Sequence, residues 1–217
     1  MEQFKKKLKF SLTLLAAFII WTLLLCYVDV KNIGPQNSTV GLSTINHFVH
    51  NLTGVNLTLY VITDWLSLIP LGICAGFAVM GMLQWYRRKQ LLRVDFSILV
   101  LGGFYLVVMF VFLLFEILII NYRPILIDGC LEASYPSSTT MLTLCVMCST
   151  MLQLKSRIKH QQPKCVLMLA FNSFTVFMVI GRFLSGVHWF SDIVGGCLLS
   201  AALIALYDAV CSLEQKP

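Results

Sequence analysis

The sequence predicts an all-α fold: a polytopic membrane bundle of six transmembrane helices with both termini in the cytoplasm. Three observations predict it. Hydrophobic residues make up 58% of the 217 positions and charged residues only 12%, where a soluble domain carries about 25% charge. The apolar residues gather in six runs, each close to the roughly 20 residues a helix needs to cross a bilayer. Lys and Arg fall almost entirely on alternate connections between those runs. A length of 217 residues fits one domain, so residues 1–217 are read as a single membrane domain.

The runs are 10–28, 59–85, 96–120, 137–154, 165–183 and 189–211. They should be helices, because a backbone in lipid must satisfy its own hydrogen bonds. The first follows the basic start Lys5-Lys6-Lys7-Leu8-Lys9. It is too long for a signal-peptide core and no small-x-small site follows, so an uncleaved helix is the better reading. In the second run, Gly72, Gly76 and Gly81 are expected to allow close helix packing. Pro70 has no counterpart in another run, which removes the paired interruptions a small transporter would need. One set of connections and termini holds thirteen Lys and Arg, from Lys5 to Lys216, and the other holds only Lys31, Arg123 and Arg182. The basic side is cytoplasmic by the positive-inside rule.

The net charge of +6 is therefore a topology signal, not a nucleic-acid footprint. Most of the eight cysteines lie inside apolar runs and behave as small hydrophobes. Cys145 and Cys148 have redox-motif spacing without strand–helix context. Cys130 lies in an outer loop with no evident partner. The first outer segment, 29–56, includes a piece around Ile45–His50 that suits a short surface helix, and its Asn37, Asn51 and Asn56 head Asn-x-Ser/Thr triplets. His47 and His50 lack carboxylate support and read as loop residues rather than metal ligands.

Chemistry concentrates at the outward junctions. They read Asn121-Tyr122-Arg123-Pro124, then Ser134-Tyr135-Pro136-Ser137-Ser138-Thr139-Thr140, then Gly181-Arg182 followed by His188 and Asp192. Ionisable groups at membrane depth are costly and mark function by default. Guanidinium groups bind phosphate oxygens through paired hydrogen bonds. The Pro136 stretch reads as a helix start, whose free N–H groups and dipole suit an anion. His188 and Asp192 are four apart, so a shared helix face would let the carboxylate orient the imidazole.

These residues resemble the type-2 phosphatidic acid phosphatases, which share a helical core with vanadium haloperoxidases. The family pattern is Lys-x6-Arg-Pro, then Pro-Ser-Gly-His, then Ser-Arg-x5-His-x3-Asp. Arg123-Pro124, Pro136-Ser137, and Arg182, His188 and Asp192 match it at the same spacings, so the motifs lie within 116–192. The resemblance implies a membrane phosphatase that hydrolyses lipid phosphate or polyprenyl diphosphate at the outer face of the plasma membrane. His188 would attack phosphorus, Asp192 would orient it, and Arg123, Ser137, Ser138 and Arg182 would hold phosphoryl oxygens. Lipid phosphates and membrane lipids are the implied partners, with no metal, cofactor or nucleic acid.

Four positions depart from the pattern. Glu116 stands for the first-motif Lys, Ser138 for Gly, Thr139 for the acid His, and Gly181 for Ser. Losing a general acid costs about 10²–10⁴-fold when the leaving group is poor, which favours diphosphates, whose leaving phosphate needs little help. Thr139 and Glu116 are the candidate substitutes for the acid. Glu116 lies two helical turns before Arg123, a spacing that suits an ion pair between them. The alternative function is a catalytically silent relative that binds lipid phosphates or acts as a membrane scaffold.

Overall fold

The computed structural model describes residues 1–213; Lys216, counted with the cytoplasmic charges, lies outside the described residues. The described chain is all-helical apart from one small ribbon. Helix α1 spans Glu2–Tyr27 and leads into strands β1 (Lys31–Asn32) and β2 (Thr39–Val40), which pair antiparallel. Helix α2 (Ser43–Thr53) is the short helix expected within segment 29–56.

The second apolar run forms two helices, α3 (Leu57–Leu66) and α4 (Leu68–Arg88). Asn56 caps α3 by accepting from the Leu59 amide at 2.9 Å. The break at Ser67 follows from Pro70, whose ring nitrogen cannot donate to the carbonyl four residues earlier. Helix α5 is Phe96–Ile117, and a 20-residue loop, 118–137, leads to α6 (Ser138–Arg157). Helices α7 (Gln161–Leu184) and α8 (Phe190–Cys211) complete the bundle.

Among the described residues, five helical units are long and apolar enough to cross a membrane: Glu2–Tyr27, Leu57–Arg88, Phe96–Ile117, Gln161–Leu184 and Phe190–Cys211. The expected span at 137–154 forms a helix, α6, about 30 Å long at 1.5 Å per residue, but it falls short on apolarity. The cause is its location. α6 packs against α4, α5, α7 and α8, so its side chains face protein rather than lipid. Thr139, Thr140, Thr143, Ser149, Thr150 and Gln153 are all buried along it. Thr150 donates to the Val146 carbonyl at 2.7 Å, and Gln153 donates to Tyr207 at 2.6 Å and to the Ser97 carbonyl at 3.0 Å. Polar residues satisfied between helices hold a membrane bundle together without raising hydropathy.

Of the three glycines expected to mediate packing, one does. Gly72 and Gly76 face open space, and only Gly81 meets a neighbour, Ile98. Tight packing falls instead at Gly181 and Gly195, where an added Cβ would lie 2.7 Å from Thr63 and 2.4 Å from Tyr135. α1 is pinned to α8 by the buried Ser11 hydroxyl, which donates to the Ala202 carbonyl at 2.8 Å.

Candidate active site

All three motif segments meet at one end of the bundle. Loop 118–137 folds back on itself: the Arg123 amide donates to the Glu132 carbonyl at 3.0 Å, and the Ser134 amide to the Asn121 carbonyl at 2.9 Å. This fold-back sets the Arg123 side chain against Glu132, with Nε 3.0 Å from Oε2. The expected ion pair between Arg123 and Glu116 is therefore replaced by one with Glu132. The spacing argument assumed a helix continuing to Arg123, but α5 ends at Ile117.

Arg182 enters from the last turn of α7 and is 2% exposed, which makes its company decisive for a permanent charge. Its Nη1 donates to the Thr63 hydroxyl at 3.3 Å and the Tyr60 carbonyl at 3.4 Å, and Nη2 lies 3.6 Å from Asp64. The guanidinium also sits over the Tyr60 ring, 4.9 Å from its centroid. Gly181 explains itself here: a Ser at that position would collide with Thr63, the residue that accepts from Arg182.

His188 lies between α7 and α8, so the shared helix face expected for it and Asp192 is not the route by which they meet. The turn 185–189 brings them together. Gly186 has φ +67°, and a Cβ there would lie 1.9 Å from the Gly54 carbonyl oxygen. Asp192, in the first turn of α8, accepts from the Trp189 amide at 2.9 Å through Oδ2, and the same oxygen lies 3.7 Å from His188 Nδ1. On the other side of the ring, Nε2 is 3.4 Å from Arg123 Nη1. A guanidinium can only donate, so this contact assigns the Nε2 lone pair to the side facing Arg123 and the ring proton to Nδ1. Burial pushes the His188 pKa down to about 4; Asp192 opposes the shift, and the charges of Arg123 and Arg182 assist it. The imidazole is thus neutral at pH 7.

A second, fully buried layer fixes Asp192. Asn121 donates to Asp192 Oδ1 at 3.3 Å and accepts from the Gly41 amide at 3.2 Å. Asn46 donates to Ser191 Oγ at 2.9 Å and to the Gly41 carbonyl at 2.8 Å, and accepts from the Ser191 amide at 3.0 Å. Trp189 Nε1 donates to the Tyr122 carbonyl at 2.7 Å. The segment 29–56, absent from the motif pattern, is thereby wired to the Asp192 carboxylate.

Ser137 is the N-cap of α6; Pro136 precedes the helix instead of lying in its first turn. The Ser137 amide donates to the Asp192 carbonyl at 3.1 Å and its hydroxyl to Thr140 at 3.0 Å. The amides of Ser138, Thr139 and Thr140 begin the helix and have no carbonyl one turn back within it. Ser138, His188 and Glu116 line one small cavity of about 10 Å³, walled by Phe112, Phe115 and Met141. Thr139 lines a different, apolar cavity of about 350 Å³ between α4, α5 and α6. Arg182 Nε and His188 Nδ1 are buried without a hydrogen-bond partner among the described residues.

Sequence reasoning missed Tyr60, Thr63 and Asp64, which hold Arg182, and Glu132, Asn121 and Asn46. Asp64 carried a usable signal, as an acidic residue within an apolar run. Buried amides such as Asn46 carried none.

The sequence profile of the PAP2 superfamily matches residues 71–211. No curated protein matches the chain. The fold is similar to a solved structure described as the first transmembrane PAP2 type phosphatidylglycerolphosphate phosphatase from Bacillus subtilis. The two share 17% identity at a TM-score of 0.60, over 95% of this chain and 97% of that one. This likeness and the apolar helices make the chain an integral membrane protein. With a profile match over well over half its length, the chain belongs to the PAP2 superfamily.

Proposed function

We propose that the protein is a membrane lipid phosphatase acting through a phosphohistidine on His188. The observation that carries the reading is the buried imidazole set between Asp192 at 3.7 Å and Arg123 at 3.4 Å. Residues 1–217 act as one membrane domain. α6 serves as the sixth spanning segment, the termini lie in the cytoplasm and the site lies at the outer face of the plasma membrane; the thirteen-to-three charge bias supports this sidedness.

Catalysis follows from positioning and charge. The phosphoryl group of a lipid phosphate or diphosphate enters between Arg123, Arg182 and the first amides of α6, with Ser137 and Ser138 beside it. Arg123 then exchanges its contact with His188 for one with a phosphoryl oxygen, which frees the Nε2 lone pair. Nε2 bonds to phosphorus as the bond to the leaving oxygen breaks. Asp192 stabilises the positive charge that develops on the ring. Water next attacks phosphorus, the nitrogen–phosphorus bond breaks, and inorganic phosphate leaves.

The test is phosphate release by the purified protein from lipid mono- and diphosphates, with and without vanadate. The reading expects turnover that vanadate suppresses and that His188→Ala abolishes. Equal release by wild type and His188→Ala would instead support the silent, lipid-binding alternative.

A further inference from the structure

We propose that α2 is an interfacial helix whose outward apolar stripe sits in the lipid surface at the end of the bundle that carries the candidate site. The partner is a phospholipid leaflet, and the inference stands apart from the phosphatase reading.

α2 presents three stripes, each at i, i+3, i+7 spacing. Ser43, Asn46 and His50 turn inward. The first two are buried, Asn46 is hydrogen-bonded to Ser191 of α8, and the His50 ring lies 5.4 Å from that of Trp189. Thr44, His47 and Asn51 are polar and exposed. Ile45, Phe48 and Leu52 are apolar, and 44%, 65% and 76% exposed. A helix packed at the rim of a protein in water needs only the first two kinds of face. The third is a contiguous apolar strip left uncovered by the described residues, which marks a surface built to meet something apolar.

The level at which α2 lies identifies what covers it. At its start, the Leu42 amide donates to the Val28 carbonyl at 3.0 Å and the Ser43 amide to the Asp29 carbonyl at 2.9 Å. Gly41 packs against the Leu25 carbonyl with no room for a Cβ. These contacts tie the helix to the last turn of α1 and the residues just after it. Beyond its other end, Gly54 meets Gly186, the Asn56 amide donates to the Ser185 carbonyl at 2.9 Å, and Leu57 opens the membrane-length unit Leu57–Arg88. α2 is thus held on both sides at the ends of spanning helices, the depth at which amphipathic helices lie in the membrane plane. Its apolar stripe also continues the exposed apolar surface of those helices, through Tyr27 and Val28 on one side and Val55 and Leu57 on the other. Tyr27 is the residue type that favours a membrane–water boundary. Charge adds little to the seat. Lys31, which donates to Thr44 of the polar stripe at 3.3 Å, is already paired with Asp29 at 2.8 Å. The stripe therefore calls for acyl chains, with no requirement for an anionic headgroup.

The test places a fluorescent label on the apolar stripe, at Phe48→Cys or Leu52→Cys, and on the polar stripe, at Thr44→Cys or Asn51→Cys. The full chain is used, with the exposed Cys26, Cys130 and Cys165 changed to alanine. Two positions on each stripe preserve the comparison if one variant misfolds. The protein is reconstituted in phosphatidylcholine vesicles, with bromine on the acyl chains as the lipid quencher and iodide on both sides as the aqueous one. Labels on the apolar stripe should be quenched by bromine and shielded from iodide several-fold more than labels on the polar stripe. Adding phosphatidylglycerol should leave that contrast unchanged. Equal access of iodide to both stripes overturns the proposal. So does shielding that disappears as the protein is diluted in the bilayer while Leu52→Cys copies cross-link, which would make a second copy of the chain the occupant. Shielding that requires phosphatidylglycerol would assign the seat to charge and overturns it as well.

Discussion

Helices α4 and α5 and helices α6 and α8 are built on opposite principles. α4 has a single buried residue, Pro70, and α5 presents large apolar side chains such as Phe110 and Leu106 outward. α6 buries ten of its twenty residues, six of them polar, and α8 buries eleven of twenty-two. The first pair needs only apolarity to sit in lipid. The second pair is held by specific hydrogen bonds and close backbone contacts, and on the proposed reading it carries the chemistry. Tolerance to substitution should therefore differ sharply between them.

The largest contrast should come from charge removal against bulk removal. Asp192→Asn leaves the shape intact but takes away the carboxylate opposite His188 Nδ1, and kcat should fall about 10³-fold. Phe110→Ala, on the outward face of α5, should leave kcat within about twofold. Steady-state phosphate release on the two variants decides it, and comparable losses would mean that the two regions are not functionally separate.

Arg182→Lys sharpens the comparison within the site. Lysine keeps the charge but cannot span Thr63, Tyr60 and Asp64 together. A loss of about 10²-fold in kcat/KM is expected. An undiminished variant would show that a point charge suffices and that the α3 clamp has no catalytic consequence.

Backbone effects come next. Gly186→Ala meets both a positive φ and the Gly54 carbonyl oxygen, and should cost about 3 kcal/mol or more. Gly76→Ala, in open space on α4, should be neutral or stabilise by about 0.5–1 kcal/mol. Thermal melts in detergent compare the two, and the account fails here if both shift Tm alike.

The smallest effect is a shift with pH. His188 stays neutral until about pH 4, so the acidic limb of kcat/KM should have its midpoint near 4 instead of the ordinary value near 6.5. The unfolded chain takes up that proton near 6.5 and the folded chain only near 4. The corresponding stability is complete above about 6.5 and is lost as the pH falls from there toward 4. A limb centred at 6.5 would mean that the ring is solvated.

What could be read from the sequence follows the same division. The lipid-facing helices announce themselves through hydropathy, since each residue there answers to the solvent alone. Arg182, His188 and Asp192 were legible because their spacing is local, although a turn and not a helix face joins His188 to Asp192. The partners of the arginines were not legible. Glu132 reaches Arg123 through a loop that folds back, and Asp64 reaches Arg182 across two helices far apart in sequence. Likewise α6 hides its role as the central helix behind hydroxyl and amide side chains that lower its apparent apolarity.

The central claim is that His188 carries the phosphoryl group. Its most direct test is to mix the protein with a lipid bearing labelled phosphate, quench in alkali, and map the label. The account predicts an alkali-stable, acid-labile label on the peptide containing His188, and none in His188→Ala. Turnover by wild type with the label on another residue, or undiminished turnover by His188→Ala, would contradict it.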